Sequence, residues 1–121
     1  MPNTATPPQT APATLLVACL CAQWCGTCND YQPLFAQLQT DFPGAKFVWV
    51  DIEDEADLVD PIEVENFPTL LIATGETPRF FGTVMPHGET LRRLLQSTTE
   101  AGATTVVDPE VVALAQRLRA R

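Results

Sequence analysis

The sequence has few basic residues and no long apolar run. Of its 121 residues, 7 are Lys or Arg and 15 are Asp or Glu, giving a net charge of −8. Nucleic acids and anionic membrane surfaces need cations to neutralise their phosphates, so neither is expected as a partner. No apolar run approaches the roughly 18 residues of a membrane-spanning helix. A secretory signal is not expected either, because no Lys or Arg precedes the short apolar run Leu15–Cys21.

The chain is also too short for more than one ordinary domain. Its apolar fraction of 45% is sufficient for a sizeable core. Residues 1–13 contain four prolines and no charged side chain, which predicts a disordered tail. We therefore expect three segments: the tail, a domain over residues 14–97, and a linker with a C-terminal helix over residues 98–121.

The cysteines are few and clustered. All four lie within ten residues, at Cys19, Cys21, Cys25 and Cys28. A disulfide framework of a small secreted domain would instead spread its cysteines along the chain to join distant loops. The clustering therefore predicts a local redox or metal site.

Apolar spacing predicts alternating strands and helices. Short apolar or β-branched runs predict strands at Leu15–Cys21, Lys46–Val50, Phe67–Ala73 and Pro78–Val84. Helical spacing predicts helices near Gly26–Thr40, Asp54–Asp60, Gly88–Ser97 and Asp108–Ala120. The expected fold class is α/β, with a central mixed sheet of about four strands flanked by helices and an extra C-terminal helix.

The segment Trp24-Cys25-Gly26-Thr27-Cys28 lies where the first predicted strand meets the first predicted helix. Free backbone N–H groups and the positive end of the dipole stabilise a thiolate at a helix N-terminus. Cys28 follows one helical turn later and can attack a mixed disulfide formed on Cys25. The placement and spacing indicate a dithiol that cycles through an intramolecular disulfide.

Four landmarks in this order resemble the thioredoxin family over about residues 14–97. They are the Trp24–Cys28 segment, Pro33 five residues after the second cysteine, Phe67-Pro68-Thr69, and Gly82. The resemblance implies a thioredoxin-like fold and thiol–disulfide oxidoreductase activity. It also implies that Pro68 is a cis-proline facing the dithiol.

The resemblance assigns a role to each of these positions. Cys25 and Cys28 are the expected catalytic residues, Trp24, Gly26 and Thr27 shape the active-site turn, and Phe67, Pro68, Thr69 and Gly82 bind substrate. The redox-active disulfide Cys25–Cys28 is expected to do the chemistry without a metal or other cofactor. Disulfide-containing client proteins are the expected partners, with recycling by a thioredoxin reductase that draws on NADPH. We expect a cytoplasmic monomer.

Three positions depart from the family pattern. Thr27 replaces the proline between the cysteines, where the residue type influences the redox potential. The family's buried Asp aligns with Cys19, and its partner Lys aligns approximately with Trp49. A buried thiol is a poor base. We therefore expect water or a substrate group to accept the proton of the second cysteine.

Other interpretations concern Cys19 and Cys21, which share one face of the predicted strand. They can pack in the core, form a second redox pair or exchange with Cys28. All four cysteines can alternatively ligate zinc or an iron–sulfur cluster. A third alternative is a client-binding or chaperone module that uses the Pro68 groove without turnover.

Overall fold

The structure, a computed structural model, describes residues 15–60, 62–75, 77–98 and 105–120. The predicted tail and residues 99–104 of the predicted linker lie outside these ranges. The described elements follow the predicted β-α-β-α-β-β-α-α order. They are β1 (Leu15–Cys21), α1 (Gly26–Asp41), β2 (Lys46–Asp51), α2 (Ala56–Val59), β3 (Thr69–Thr74), β4 (Thr77–Thr83), α3 (Gly88–Thr98) and α4 (Pro109–Arg119).

The four strands form one mixed sheet in the order β2-β1-β3-β4. β1 runs parallel to β2 and antiparallel to β3, while β3 and β4 form an antiparallel pair. β4 is an edge strand, which accommodates Pro78 because a proline has no N–H for a neighbouring strand. The sheet thus confirms the predicted thioredoxin-like fold class.

Both faces of β1 are buried, because helices cover the sheet on each side. One face packs against α1 and α3 and contains the odd-numbered residues of β1, including Cys19 and Cys21. The other face contains the even-numbered residues of β1 and packs against Val59 of α2 and the apolar face of α4. The active-site cysteines therefore belong to the α1 side of the sheet.

The C-terminal helix packs against the domain, as the sequence favours. Val111, Leu114 and Leu118 are buried against the second face of the sheet. Asp108 caps the helix by accepting a hydrogen bond from the Glu110 N–H at 2.9 Å. From the same helix, the Arg117 side chain donates to the carbonyl oxygen of Leu58 at 2.8 Å.

Two element boundaries differ from the prediction by two residues, and the others differ by one at most. α2 begins at Ala56, because the Asp51 carboxylate accepts hydrogen bonds from the N–H groups of Glu53 and Asp54 and holds the preceding residues in a turn. β3 begins at Thr69 instead of Phe67. Pro68 has no N–H to donate to a sheet, so the segment before Thr69 remains a loop. The first helix continues through Pro33 to Asp41.

Candidate active site

A tight turn places Cys25 at the start of α1. The Cys25 N–H donates to the carbonyl of Ala22 at 3.0 Å, and the side chain of Asn29 donates to the carbonyl of Gln23 at 3.3 Å. Cys25 is the N-cap residue, and its own carbonyl accepts from the Asn29 N–H. Its thiol is free and half-buried. A partly exposed sulfur at a helix N-terminus is well placed for nucleophilic attack.

Cys28 lies one turn inside the helix and is 1% exposed. Its sulfur is bonded to that of Cys21, the last residue of β1, and the two Cα atoms are 5.9 Å apart. The expected Cys25–Cys28 disulfide is therefore not the pairing in this structure. The physical reason is that Cys21 points to the α1 side of the sheet, where the inward side of the first helical turn places Cys28.

Cys19 lies beneath this disulfide on the same face of β1. Its sulfur is free, buried and 3.6 Å from the sulfur of Cys21. Burial raises the pKa of the Cys19 thiol far above its usual range, so it stays protonated and is a poor base. The Tyr31 hydroxyl, whose pKa is also raised by burial and by the neighbouring Cys19, is likewise a poor base.

The loop before β3 contacts the active-site turn through two aromatic rings. The rings of Trp24 and Phe67 meet edge to face, with their centroids 5.6 Å apart. Trp24 remains 66% exposed. The peptide bond that follows, Phe67–Pro68, is cis. The structure thus brings two of the predicted turn and substrate positions into direct contact.

Two more of the predicted substrate residues border a cleft of about 240 Å³. Thr69 and Gly82 line it together with side chains that include Glu63 and Glu65. The Thr69 hydroxyl donates to the Asn66 carbonyl at 2.7 Å. An added Cβ at Gly82 would meet only the Phe80 ring, at an ordinary contact distance of 3.5 Å.

Pro68 itself is buried, and its carbonyl accepts the N–H of Val84 at 3.1 Å. A proline has no N–H. The backbone of Pro68 is therefore occupied within the fold. Phe67 is half-buried, so part of its side chain is accessible at the surface of this loop.

Asp51 is a residue of this region that the sequence analysis did not single out. Hydrogen bonds from the backbone of Asp54, Glu53 and Gln23 lower the pKa of its carboxyl. In addition, the Ile52 N–H donates to the carbonyl of Cys21 at 2.9 Å. The end of β2 is thereby attached to the turn that carries Trp24. An Asp at the end of an apolar strand is a common turn signal, but the acidic residues that follow it, such as Glu53 and Asp54, hide this one.

The described residues contain no group of three or more His, Cys, Asp or Glu side chains arranged to hold a metal ion. His87 lies exposed before α3. Within the same residues, no helix has the length and apolar character needed to cross a membrane.

Sequence comparison finds one family match. Residues 9–96 match the Thioredoxin family model. The chain is 31% identical to thioredoxin H2-1 of Oryza sativa subsp. japonica over 93 residues, which cover 75% of this chain and 67% of that protein. It is 32% identical to thioredoxin-1 of Caenorhabditis elegans over 60 residues, which cover 50% of this chain and 52% of that protein.

Structural comparison finds the same fold. A thioredoxin from Fasciola hepatica superposes with a TM-score of 0.64 at 22% identity, over 71% of this chain and 82% of that chain. The thioredoxin NaTrxh from Nicotiana alata gives a TM-score of 0.65 at 22% identity, over 73% of this chain and 76% of that chain. These two similarities concern the fold. They agree with the sequence match over the strands and helices that hold the cysteines.

Proposed function

We propose that this chain, which belongs to the thioredoxin family and is a thiol–disulfide oxidoreductase, reduces disulfide bonds of client proteins through Cys25 and Cys28. The observation that carries this proposal is the position of the Cys25 sulfur. It is free and half-buried at the N-terminus of α1, one turn before the buried Cys28. This arrangement gives one accessible nucleophile and one protected resolving group.

The reaction proceeds by two exchanges. The Cys25 thiolate attacks one sulfur of the client disulfide, forming a mixed disulfide and releasing the other client sulfur as a thiolate. The Cys28 thiolate then attacks the Cys25 sulfur, which releases the second client sulfur. The client gains two electrons, and the enzyme is left with one disulfide. Because the described side chains around Cys28 offer no strong base, water or the departing client thiolate accepts its proton.

Client binding is assigned to the rim around Cys25. Trp24 and Phe67 provide an aromatic contact surface, since their rings touch and Trp24 is largely exposed. Thr69 and Gly82 line the cleft beside the loop that precedes β3, where a residue without a side chain permits close approach of a client backbone. Pro68 shapes the loop from within. Gly26 and Thr27 are exposed in the first turn of α1 and form the other side of this rim.

The exchange needs no bound cofactor, because every step moves electrons between sulfur atoms. A thioredoxin reductase that draws on NADPH is the proposed electron donor. We place the protein in the cytoplasm as a monomer, where glutathione and related systems keep thiols reduced. The net charge of −8 favours encounter with basic client surfaces.

The test is catalytic reduction of insulin disulfides in the presence of dithiothreitol, followed by precipitation of the insulin B chain. Replacing Cys25 with Ser removes the nucleophile, so catalysed precipitation is expected to fall to the rate with dithiothreitol alone. Cys19→Ala is the matched control, since Cys19 is buried and has no assigned role in the exchange. A Cys25→Ser variant that still accelerates the reaction overturns the proposal. Unaltered client binding without any turnover by the wild type indicates a binding module instead.

A further inference from the structure

Cys28 has two possible sulfur partners in this fold. Cys25 lies three residues before it across the first helical turn, which brings the two side chains to the same side of the helix. Cys21 lies beneath it at the end of β1 and is bonded to it. Cys21 and Cys28 are each 1% exposed, whereas Cys25 is half-buried. The disulfide therefore lies inside the protein while the outer thiol is free.

We propose that Cys21 is a third redox-active cysteine, which takes over the disulfide from Cys25 by internal exchange after a client has been reduced. This inference rests on the proposed function and deepens it. In the exchange, the Cys21 thiolate attacks the Cys28 sulfur of the Cys25–Cys28 disulfide. The Cys21–Cys28 bond forms, the Cys25–Cys28 bond breaks, and the electron pair leaves on Cys25. The proton of Cys21 passes to Cys25 or to solvent.

No external oxidant or reductant is consumed in this step, because one disulfide replaces another. The two oxidising equivalents still come from the client disulfide, which has become two thiols. The oxidised protein thus regains a free Cys25 thiol while the disulfide is stored below the surface. Since neither Cys21 nor Cys28 is accessible, reduction of the stored disulfide requires attack by Cys25 on Cys28, which reverses the exchange.

Cys19 is not the exchanging group, although it is only 3.6 Å from Cys21. Cys19 lies two residues further from the end of β1 than Cys21 does. There it is paired with Trp49 of β2 and faces the packed interior. Its thiol is free in the same structure in which Cys21 is bonded. The two cysteines share one strand, one face and near-complete burial, so Cys19 provides a matched control for Cys21.

The position of the disulfide can be read directly because Trp24 separates the two pairs of cysteines. The full chain is oxidised by two electrons in a glutathione buffer, denatured in N-ethylmaleimide at low pH, and cleaved with chymotrypsin. Cleavage after Leu20, Trp24 and Tyr31 gives peptides 21–24 and 25–31. A Cys21–Cys28 bond keeps these peptides linked, with maleimide on Cys25. A Cys25–Cys28 bond leaves them separate.

We expect the linked pair to be the main oxidised species of the wild type and of Cys19→Ala. In Cys21→Ala it should be lost, and the disulfide should move to Cys25 and Cys28. Separate peptides in the oxidised wild type, or a bond that links peptide 25–31 to the peptide containing Cys19, overturn the inference. The proposed function would survive either result, because it fails only when the wild type does not reduce insulin or when Cys25→Ser still accelerates that reduction.

A redox titration gives a second measurement. Internal exchange stabilises the oxidised protein without affecting the reduced one, so the wild type should have a more negative potential than Cys21→Ala. A tenfold preference of Cys28 for Cys21 over Cys25 corresponds to about 30 mV. Cys19→Ala should keep the wild-type potential. Equal potentials for the wild type and Cys21→Ala contradict the exchange.

Discussion

Trp24 and Phe67 meet edge to face across the space between the active-site turn and the loop that precedes β3, with ring centroids 5.6 Å apart. Trp24 directly precedes the nucleophile Cys25, and Phe67 directly precedes Pro68. This contact thus joins the turn that carries the Cys25 thiol to the loop that is proposed to bind the client.

This contact predicts a measurable coupling between the two rings. In a double-mutant cycle of Trp24→Ala and Phe67→Ala, the coupling free energy should be about 0.5–1.5 kcal/mol, as for other aromatic pairs. The measurement is the free energy of unfolding in urea. Trp24→Ala combined with Phe35→Ala is the control, because Phe35 packs against Trp49 instead. That pair should be additive within about 0.5 kcal/mol. Additivity in the Trp24–Phe67 cycle would contradict the contact.

Gly82 should matter for clients more than for folding. The Cβ of Gly82→Ala meets only the Phe80 ring at 3.5 Å, so the free energy of unfolding should change by less than about 1 kcal/mol. The same methyl group lies on the Phe80 side of the sheet, which is also the side of the cysteines, and there it hinders a client backbone. We expect a several-fold rise of KM for insulin, with a much smaller effect on a small aromatic disulfide. Equal effects on the KM values of both substrates would show that Gly82 is not part of the surface that binds the client.

Local sequence patterns predict much of this fold. The apolar run of β1 and the spacing of Tyr31 and Phe35 on α1 specify their elements, and they also place Cys25 at the junction between them. Asp108 and Pro109 likewise mark the start of α4 before any packing is considered. In these segments local propensity and tertiary packing agree, which is why the predicted boundaries are close to those of the structure.

The partner of Cys28 is harder to predict. Spacing favours Cys25, because two cysteines one turn apart face each other on a helix. The alternative partner, Cys21, is brought close only by the packing of α1 on β1, a tertiary relationship that sequence separation does not reveal. The alternation of β1 limits the candidates to Cys19 and Cys21 but does not choose between them. The role of Asp51 is hidden as well, both by the acidic residues that follow it and because it depends on the pairing of β1 with β2.

An ion pair between α1 and α3 should make stability depend on pH. The Arg92 guanidinium bonds the Asp41 carboxylate, and it lowers the pKa of Asp41, with a smaller contribution from Gln37. A carboxyl whose pKa is lower in the folded state stabilises the fold above the pKa of the unfolded chain. That contribution is lost as the pH falls through the folded-state pKa.

Asp41→Asn should therefore be slightly less stable than the wild type at pH 7, and the difference should be smaller at pH 2. Urea unfolding at both pH values gives the difference, and carbon NMR of the Asp41 carboxyl gives its pKa. In Arg92→Gln that pKa should rise towards the usual value. Arg93→Gln, which removes only an exposed pair with Glu89, is the control and should leave the pKa of Asp41 unchanged. A difference that is undiminished at pH 2 would assign the effect of Asp41→Asn to a cause other than charge.

The C-terminal helix should contribute to stability without entering the chemistry. Leu114 is fully buried against the sheet face opposite the cysteines. Leu114→Ala should lower the free energy of unfolding by about 2–5 kcal/mol, since it deletes buried methyl groups and leaves a cavity. Val107→Ala is the control with little expected effect, because Val107 is 80% exposed. The redox potential of Leu114→Ala should equal that of the wild type under conditions where both are folded. A changed redox potential together with an unchanged free energy of unfolding would contradict this assignment of α4 to stability alone.

The buried hydroxyl of Tyr31 should cost stability. Among the described residues it has no hydrogen-bond partner, and the side chain is fully buried beside Cys19. Burying a polar group without a partner is unfavourable, so Tyr31→Phe should raise the free energy of unfolding by about 1 kcal/mol. Thr69→Val is a matched control of opposite sign, because the Thr69 hydroxyl is also buried but donates to the Asn66 carbonyl at 2.7 Å. Its removal should cost about 1 kcal/mol. Urea unfolding of both variants decides the matter, and a destabilised Tyr31→Phe would mean that water or another group satisfies the hydroxyl in solution.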